Sequence, residues 1–350
     1  MAREPIVKGN APDAPATEER QRDDALRPRK LTEVIGQKSV VERLRIALNA
    51  SKKLKEPMGH ILFDGPPGLG KTTFATVLPN ELETSIQITS GPALQRPADL
   101  LPYLTNAKEG SFIFIDEIHR TPRIVEEFLY SAMEDFRVGI PIGEGLNART
   151  VWMRLNHFTL IGATTRSGML TGPMRDRFKH HEHLEFYTVE ELAQILTINS
   201  RKLNTAIIPE AALELAGRSR GTPRIANSRL WWVRNYVTSE ADGRITLDTA
   251  RAALQMAEVD AQGLDKQDRR YLDTLISVFG GGPTGVEAIA ATMNIASDTL
   301  SDEVEPYLLR AQFIVRTPRG RVATPRAYEH LGKVALKPVK EGGPQVSLFE

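Results

Sequence analysis

The eight residues from Gly65 to Thr72, GPPGLGKT, have the spacing of a phosphate-binding loop. In such a loop the glycines let backbone N–H groups approach phosphates, and the start of the following helix favours negative charge. The pattern predicts that Lys71 contacts the β- and γ-phosphates of ATP and that the Thr72 hydroxyl ligates Mg²⁺. An apolar run precedes the loop and a helix-forming run follows it, which is the context such a loop requires.

Two adjacent acids, Asp116 and Glu117, follow the apolar run FIFI. In combination with a phosphate-binding loop, acids at the end of a buried strand predict a Walker B site. Asp116 is then expected to hold Mg²⁺ through water, and Glu117 to orient and polarise the attacking water. Taken alone, the two acids would equally fit a solvated strand end.

A further apolar run, FTLIGATT, ends in two hydroxyl side chains. We predict that Thr164 lies between the paired acids and the γ-phosphate, where a polar side chain can sense hydrolysis. Thr165 is the second candidate, and a threonine that merely ends a strand is the alternative.

Three arginines can complete such a site. Arg177, in the segment MRDRF, is predicted to reach the γ-phosphate of a neighbouring molecule, which would make the active form a ring. Arg175 is expected to be structural, paired with Asp176, and a surface salt bridge remains the alternative for both residues. Arg224, in GTPR at the start of a predicted helix, can close a second domain onto the nucleotide bound by the same chain.

The composition excludes several classes of protein. The 350 residues suffice for two or three domains, and the net charge of +1 provides no global attraction to nucleic acid or membrane. The absence of cysteine excludes disulfides and thiolate metal sites. No signal peptide is apparent, and no apolar run approaches the roughly 18 residues that span a bilayer. We expect a soluble, cytoplasmic protein with no membrane partner.

The pattern along the chain predicts an α/β fold with three domains after a disordered segment 1–25. Short apolar runs alternate with amphipathic segments over 26–187, which is typical of a parallel sheet covered by helices. Helical spacing with little strand signal predicts a small helical lid over 188–258, with Thr188 and Glu191 as a capping box at its start and Pro209 at a first helical position. Over 259–350, helices lead into FIVRTPRGRVAT, two short strands around a turn, which predicts a winged helix with a flexible tail.

This last domain contains the local basic patch that the overall charge conceals. Five arginines and no acid lie between Pro306 and Tyr328. The predicted wing would contact DNA phosphates without reading bases. Arg316 and Arg321 are the predicted contacts and Arg319 a turn scaffold or auxiliary contact. A solvated basic hairpin is the alternative.

Taken together, these motifs resemble the RuvB family of AAA+ ATPases, bacterial motors that drive branch migration of Holliday junctions. The resemblance runs from about Leu26 to Leu331 and is most specific in FIDEIHR, RGTPRIAN and RTPRGR. It implies a ring hexamer that uses ATP and Mg²⁺, acts on four-way junctions and duplex arms, and works with RuvA. The resolvase RuvC is a further candidate partner.

The resemblance also implies roles for individual residues. Arg177 and Arg224 occupy the arginine-finger and second-sensor positions. Gly68, Gly70 and Thr73 belong to the phosphate-binding loop. The remaining implied nucleotide contacts are Leu26, Arg27 and Tyr187 at the adenine and ribose, and the segment Glu134, Asp135 and Phe136.

Alternating apolar residues over 137–157 predict a β-hairpin with one apolar face that contains Ile140 and Ile142. By resemblance this hairpin protrudes and docks RuvA. The alternative is an edge hairpin that covers the domain's own core.

The chain departs from the family pattern in two places. The segment Lys179–His183, KHHEH, replaces a segment with few histidines, and we predict a solvated charged connector there rather than a metal site. Ser297 stands where relatives can carry an arginine, so its DNA contact would be weaker at best.

Two other functions fit the same motifs. A clamp-loader-type ATPase would need a sliding clamp and is not expected to combine the hairpin with the wing. A winged-helix regulator with an ATP site would bind particular DNA sequences, whereas a wing that contacts only phosphates would not.

Overall fold

The computed structural model describes residues 25–142 and 149–334, apart from the side chains of residues 141 and 142. Its contacts divide the chain into two compact units, 1–254 and 255–350. The predicted disordered segment lies outside the described residues except for Ala25, and so does the predicted flexible tail beyond residue 334. The side chain of Ile142 also lies outside them.

A five-stranded parallel sheet forms the centre of the first unit, as the sequence predicts. Every residue of the strand that ends at Thr164 is buried, because helices cover both faces of a parallel sheet. In spatial order the strands are β2 (Ile86–Ser90), β3 (Ser111–Asp116), β6 (Phe158–Thr164), β1 (Ile61–Asp64) and β7 (His180–His183).

Helices surround the sheet and then form the helical segment that follows it. Thr188 and Glu191 form the predicted capping box, and Pro209 occupies the predicted first turn. No helix among the described residues is long and apolar enough to cross a membrane. The helices are α1 (Lys38–Leu54), α2 (Lys71–Glu81), α3 (Pro97–Thr105), α4 (Arg123–Glu134), α5 (Gly172–Asp176), α6 (Val189–Lys202), α7 (Pro209–Gly217), α8 (Pro223–Glu240) and α9 (Leu247–Met256).

An antiparallel hairpin, β4 (Arg137–Ile142) with β5 (Arg149–Arg154), follows α4. Val138, Met153 and the nearby Leu155 pack against the core of the domain, so the base of the hairpin covers that core. Further out, Val151 pairs with Ile140 and is 41% exposed. The alternating apolar residues therefore extend further along the hairpin than is needed to cover the core of the domain.

The second unit is a small helical domain with a two-stranded wing. A core of apolar side chains joins its helices to the strand residues Ile314 and Ala323. The elements are α10 (Lys266–Ser277), α11 (Val286–Met293), α12 (Ser297–Thr299, a π-helical turn at Leu300–Val304, then Glu305–Arg310), β8 (Ile314–Thr317), β9 (Gly320–Ala323) and α13 (Pro325–His330).

Candidate nucleotide and DNA sites

The phosphate-binding loop connects the end of β1 to the start of α2. Gly65, Gly68 and Gly70 all have positive φ angles, which side chains other than glycine adopt at a cost. A Cβ atom at Gly65 would lie 2.6 Å from the carbonyl oxygen of Leu184. The loop therefore has the tight, open-backbone form that brings N–H groups toward a phosphate.

Lys71 is the first residue of α2 and is buried within the loop. Its Nζ atom donates hydrogen bonds to the carbonyl oxygens of Gly65, at 2.7 Å, and Pro66, at 2.9 Å. Burial lowers the pKa of Lys71 to about 8, against the attraction of the nearby Asp116 and Glu117 carboxylates. The ammonium group is thus placed among the backbone groups that would surround a phosphate.

A cleft opens above the loop, and its lining brings most of the predicted site residues together. The hydroxyl of Thr72 and the carboxylate of Asp116 supply oxygen ligands of the kind that Mg²⁺ prefers. With the glycine-lined loop and the lysine, these residues fit a magnesium-bound nucleoside triphosphate. The lining consists of Arg27, Pro67, Gly68, Gly70, Lys71, Thr72, Thr73, Asp116, Glu117, Thr165, Pro223, Arg224 and Asn227.

The helical segment closes one side of this cleft. Arg224 lies in the first turn of α8, and its N–H donates to the carbonyl oxygen of Gly68 at 3.4 Å. A Cβ atom at Gly68 would meet the side chains of Thr222 and Arg224 at 2.6 and 2.9 Å. Asn227, one turn further along α8, also lines the cleft and was not predicted. Its spacing of three residues from Arg224 is the signal that could have identified it.

The residues that resemblance assigned to adenine and ribose lie beside the loop. Arg27 lines the cleft. Leu26 is buried, and its carbonyl oxygen accepts a hydrogen bond from Lys202 Nζ at 2.8 Å. The hydroxyl of Tyr187 donates to the carbonyl oxygen of Leu69 at 3.2 Å. Burial raises the pKa of Tyr187 to about 12, so this hydroxyl remains a donor at neutral pH.

Thr164 ends β6 and Thr165 follows it directly, and their side chains lie in different surroundings. Thr165 lines the cleft, whereas Thr164 is completely buried and bonds to His119 Nδ1 at 2.8 Å. Thr165, the first residue after the strand, thus lies where a side chain can face a bound nucleotide. The geometry favours Thr165 over Thr164 as a candidate for sensing the γ-phosphate.

Arg177 follows α5 and lies outside the set of residues that line the cleft. Its Nη2 atom is 2.9 Å from Glu134 Oε2, its Nη1 atom donates to the Pro173 carbonyl oxygen at 2.7 Å, and its guanidinium lies 4.4 Å from the centre of the Tyr130 ring. These contacts hold the side chain in a defined position. Arg175, by comparison, is exposed.

Glu134, Asp135 and Phe136 are not among the residues that line the cleft of their own chain. Glu134 and Phe136 line a separate cavity of about 610 Å³ together with Arg177. Asp135 pairs with Arg137 at 3.1 Å. The reason is topological, because this segment joins α4 to the hairpin rather than to the loop ends of the sheet.

The histidine-rich segment forms β7, so the prediction of a connector was wrong. It pairs in parallel with β1, and Glu182 is buried and bonded to Arg43 Nε at 2.9 Å. His183 Nδ1 lies 3.0 Å from Asp64 Oδ2. Within residues 25–142 and 149–334, no group of three or more His, Cys, Asp or Glu side chains could hold a metal ion.

The wing of the second unit differs in detail from the prediction. Arg316 and Arg321 face each other across the two strands, and both donate to Glu305, which is 0% exposed. Arg319 lies on the exposed turn between the strands. Ser297 begins α12 and is partly exposed. The wing thus combines one outer arginine with two that are anchored from below.

The phosphate loop on β1, the paired acids after β3 and a helical lid whose arginine lies over the loop define a P-loop ATPase of the AAA+ class. The family models agree and are more specific. Residues 26–184 match the Holliday junction DNA helicase RuvB P-loop domain, residues 187–260 the RuvB AAA lid domain, and residues 261–332 the RuvB C-terminal winged helix domain. The chain belongs to the RuvB family.

Individual relatives support this assignment. The chain is 60% identical over 309 residues to the Holliday junction branch migration complex subunit RuvB of Rhodopirellula baltica, covering 88% of this chain and 84% of that protein. It is also similar to the Thermotoga maritima RuvB Holliday junction branch migration motor, with 45% identity and a TM-score of 0.81 over 89% of this chain and 99% of that one. A point-mutant structure of the same T. maritima protein has a TM-score of 0.82 and 45% identity over 88% and 99% of the two chains.

Proposed function

We propose that this protein is the ATP-driven motor that moves Holliday junctions along DNA during homologous recombination and repair. It acts in the cytoplasm as a ring of six copies, requires Mg²⁺ and engages the junction together with RuvA, with the resolvase RuvC as a candidate further partner. The domain limits proposed from sequence, 26–187, 188–258 and 259–350, describe the motor domain, its lid and the DNA-binding head.

The separation of Arg177 from the nucleotide cleft of its own chain is the strongest support for this proposal. The cleft with Lys71 and Glu117 and the cavity with Arg177 are separate places on one chain. An arginine that stabilises charge at a γ-phosphate can raise the rate by roughly 10³–10⁵ when another molecule supplies it. Because Arg177 lies outside the cleft of its own chain, we infer that a neighbouring copy supplies it, and repetition of that contact around an axis closes a ring.

The residues of the cleft divide the chemistry among them. Lys71 binds the β- and γ-phosphates, Thr72 and Asp116 hold Mg²⁺, and Glu117 orients the attacking water and polarises its O–H bond. Thr165 senses the γ-phosphate from the end of β6. When bound, Mg²⁺ neutralises the charge that develops on the phosphate oxygens. Arg224 brings the lid toward the same phosphates.

The wing and the hairpin connect this chemistry to the junction. Arg316 and Arg319 contact phosphates, and such contacts suit a motor that must move over any sequence. Exchange of one base pair for another nearly cancels the stacking energy, which is about 1.4 kcal/mol per step, so ATP supplies direction and drives the crossing of barriers. The outer face of the β4–β5 hairpin, with Ile140 and Val151, docks RuvA.

The experiment that tests this proposal is dissociation of a synthetic four-way junction, with ATP and with or without RuvA. Dissociation that requires RuvA and is lost in both Lys71→Ala and Arg177→Ala is the expected result. ATP hydrolysis without junction processing would instead support a clamp-loader-type enzyme. Binding to one DNA sequence, with ATP acting only as an effector, would support a regulator.

A further inference from the structure

His119 connects the water-polarising acid to the strand that senses the nucleotide. It lies on the short helical turn Ile118–Arg120 directly after the paired acids, and its side chain is 4% exposed. One ring nitrogen, Nε2, is 3.4 Å from Glu117 Oε2. The other, Nδ1, is 2.8 Å from the hydroxyl oxygen of Thr164.

The direction of these hydrogen bonds follows from what each group can donate. The N–H of Arg166 donates to Thr164 Oγ1 at 2.9 Å, which leaves the hydroxyl proton available for His119 Nδ1. Neutral His119 then carries its proton on Nε2, where it faces the Glu117 carboxylate. A proton on Nδ1 alone would instead turn the lone pair of Nε2 toward a negative group, which is unfavourable.

The backbone of Glu117 is constrained, so only rotation of its side chain can orient the carboxylate. Glu117 has a φ of 49°, in the left-handed region. Its carbonyl oxygen lies so close to Gly91 that a Cβ atom there would be 2.4 Å away. Because the φ angle and the close approach to Gly91 both constrain the backbone, the direction of the carboxylate depends on rotation of the side chain and on the groups that it contacts.

We propose that His119 is a positioning residue that sets the direction of the Glu117 carboxylate and is itself held by Thr164. This inference rests on the proposed ATPase function and deepens it. Thr164 ends β6 and contacts His119, and the next residue, Thr165, lines the cleft, so two consecutive residues connect His119 to the nucleotide site. A shift of that strand end when the γ-phosphate is lost would also move the partner of Glu117. Thr164 thus has a role, although not the one that its sequence position suggests.

The test separates positioning from binding and from folding. His119→Phe keeps the ring volume without its hydrogen bonds, and Thr164→Val removes only the hydroxyl. For both variants we expect kcat for ATP hydrolysis to fall by about tenfold or more. This loss should be smaller than the ~10²–10⁴ that a general base contributes. The affinity for a non-hydrolysable ATP analogue and the melting temperature should stay within twofold and about 2 °C of wild type. Thr164→Ser should lose less kcat than Thr164→Val. Combining His119→Phe with Thr164→Val should reduce kcat by no more than the larger of the two single losses.

A second readout needs no hydrolysis. In full-length protein with ¹⁵N-labelled histidine, one of the 7 imidazoles should disappear in His119→Phe, which assigns it. That imidazole should carry its proton on Nε2, and Thr164→Val should change its tautomer or its ¹⁵N chemical shifts. Thr238→Val, at an exposed helical threonine whose hydroxyl bonds to Arg234, is the matched control and should leave the signal unchanged.

A proton on Nδ1, or wild-type kcat in His119→Phe, would overturn the inference while the ATPase proposal stands. Equal losses of kcat, analogue affinity and melting temperature would assign His119 a structural role and would likewise overturn it. A wild-type chain that hydrolyses no ATP with RuvA and junction present would instead refute the proposed function.

Discussion

Glu305 anchors Arg316 from beneath the wing: its Oε2 atom accepts a hydrogen bond from Arg316 Nε at 3.1 Å. Arg321 Nε and the hydroxyl of Tyr271 donate to the other carboxylate oxygen at 2.9 and 2.8 Å. Burial alone would raise the pKa of Glu305, but the hydrogen bonds that it accepts outweigh burial and lower that pKa. The wing is therefore held by a buried carboxylate that stays ionised at neutral pH.

This arrangement separates the wing arginines into two kinds. The side chain of Arg316 is 48% exposed although Glu305 anchors it, and Arg319 is exposed on the turn. For each we expect the alanine variant to reduce the slope of log K for duplex binding against log salt concentration by about one. The side chain of Arg321 is only 19% exposed. Arg321→Ala should instead lower the free energy of unfolding by about 1–3 kcal/mol, because Glu305 loses a buried partner. Binding isotherms at several salt concentrations and urea titrations measure the two effects. An unchanged slope in Arg316→Ala would contradict the assignment.

The pKa of Lys71 predicts how nucleotide binding depends on pH. Only the ammonium form attracts phosphate, and in the free protein this form is lost as pH rises through about 8. Between pH 7.5 and 9.5, where the charge of ATP is constant, we expect the Kd for ATP to rise by about tenfold or more. Isothermal titration calorimetry measures this change. Lys71→Met should bind weakly with little pH dependence over the same range, and a similar dependence in that variant would exclude Lys71 as its source.

The trans action of Arg177 can be tested by mixing two inactive chains. Arg177→Ala keeps its cleft but lacks the finger, and Lys71→Ala keeps the finger but lacks a working cleft. Each alone should lose hydrolysis, Arg177→Ala by roughly 10³–10⁵. Mixed rings should recover part of the activity, since some intact clefts then receive an intact arginine. Steady-state ATPase assays over a range of mixing ratios would show a maximum near equal amounts. Without any recovery, the arginine would have to act within its own chain.

The contact between the lid and the loop predicts a specific effect of a methyl group at Gly68. Gly68→Ala would place a Cβ atom 2.6 Å from Thr222 and should push the lid away, raising the Kd for ATP about tenfold. Gly110→Ala is the matched control, because Gly110 has a similar φ, +71° against +77°, and nothing lies within 4 Å of the added atom. It should cost about 1–2 kcal/mol of stability and leave the Kd unchanged. Equal effects of the two variants on nucleotide binding would contradict the lid contact.

The hairpin offers a test that leaves the ATP site intact. Ile140→Asp places a charge on the outer part of the apolar face, beside the exposed Val151. We expect loss of RuvA binding, with basal ATP hydrolysis within about twofold of wild type. Trp152 projects to the other face and is 56% exposed, so Trp152→Ser provides the matched comparison. Surface plasmon resonance against immobilised RuvA measures both variants. If Ile140→Asp still binds RuvA, the hairpin would be assigned only the role of covering the core.

Sequence alone was sufficient to predict the features that depend on neighbouring residues in the chain. The phosphate loop, the acids after β3, the capping box at Thr188 and the wing turn each consist of a few adjacent residues with a required order. The parallel sheet could be predicted equally well, because buried strands that alternate with amphipathic helices give a clear apolar period. Local chemistry and hydrophobic periodicity were sufficient for these features.

The folded structure was needed to show which of two adjacent or distant residues contacts a third. It places Thr165 in the cleft and buries Thr164, because the register of β6 between β3 and β1 sets where the strand ends and which way Thr164 points. It added the histidine-rich segment to the sheet as β7, because pairing with β1 outweighs a weak local strand signal. It also joined Arg316 and Arg321 to Glu305 across 11 and 16 residues. Such long-range contacts depend on the packing of whole elements, and no short stretch of sequence contains that information.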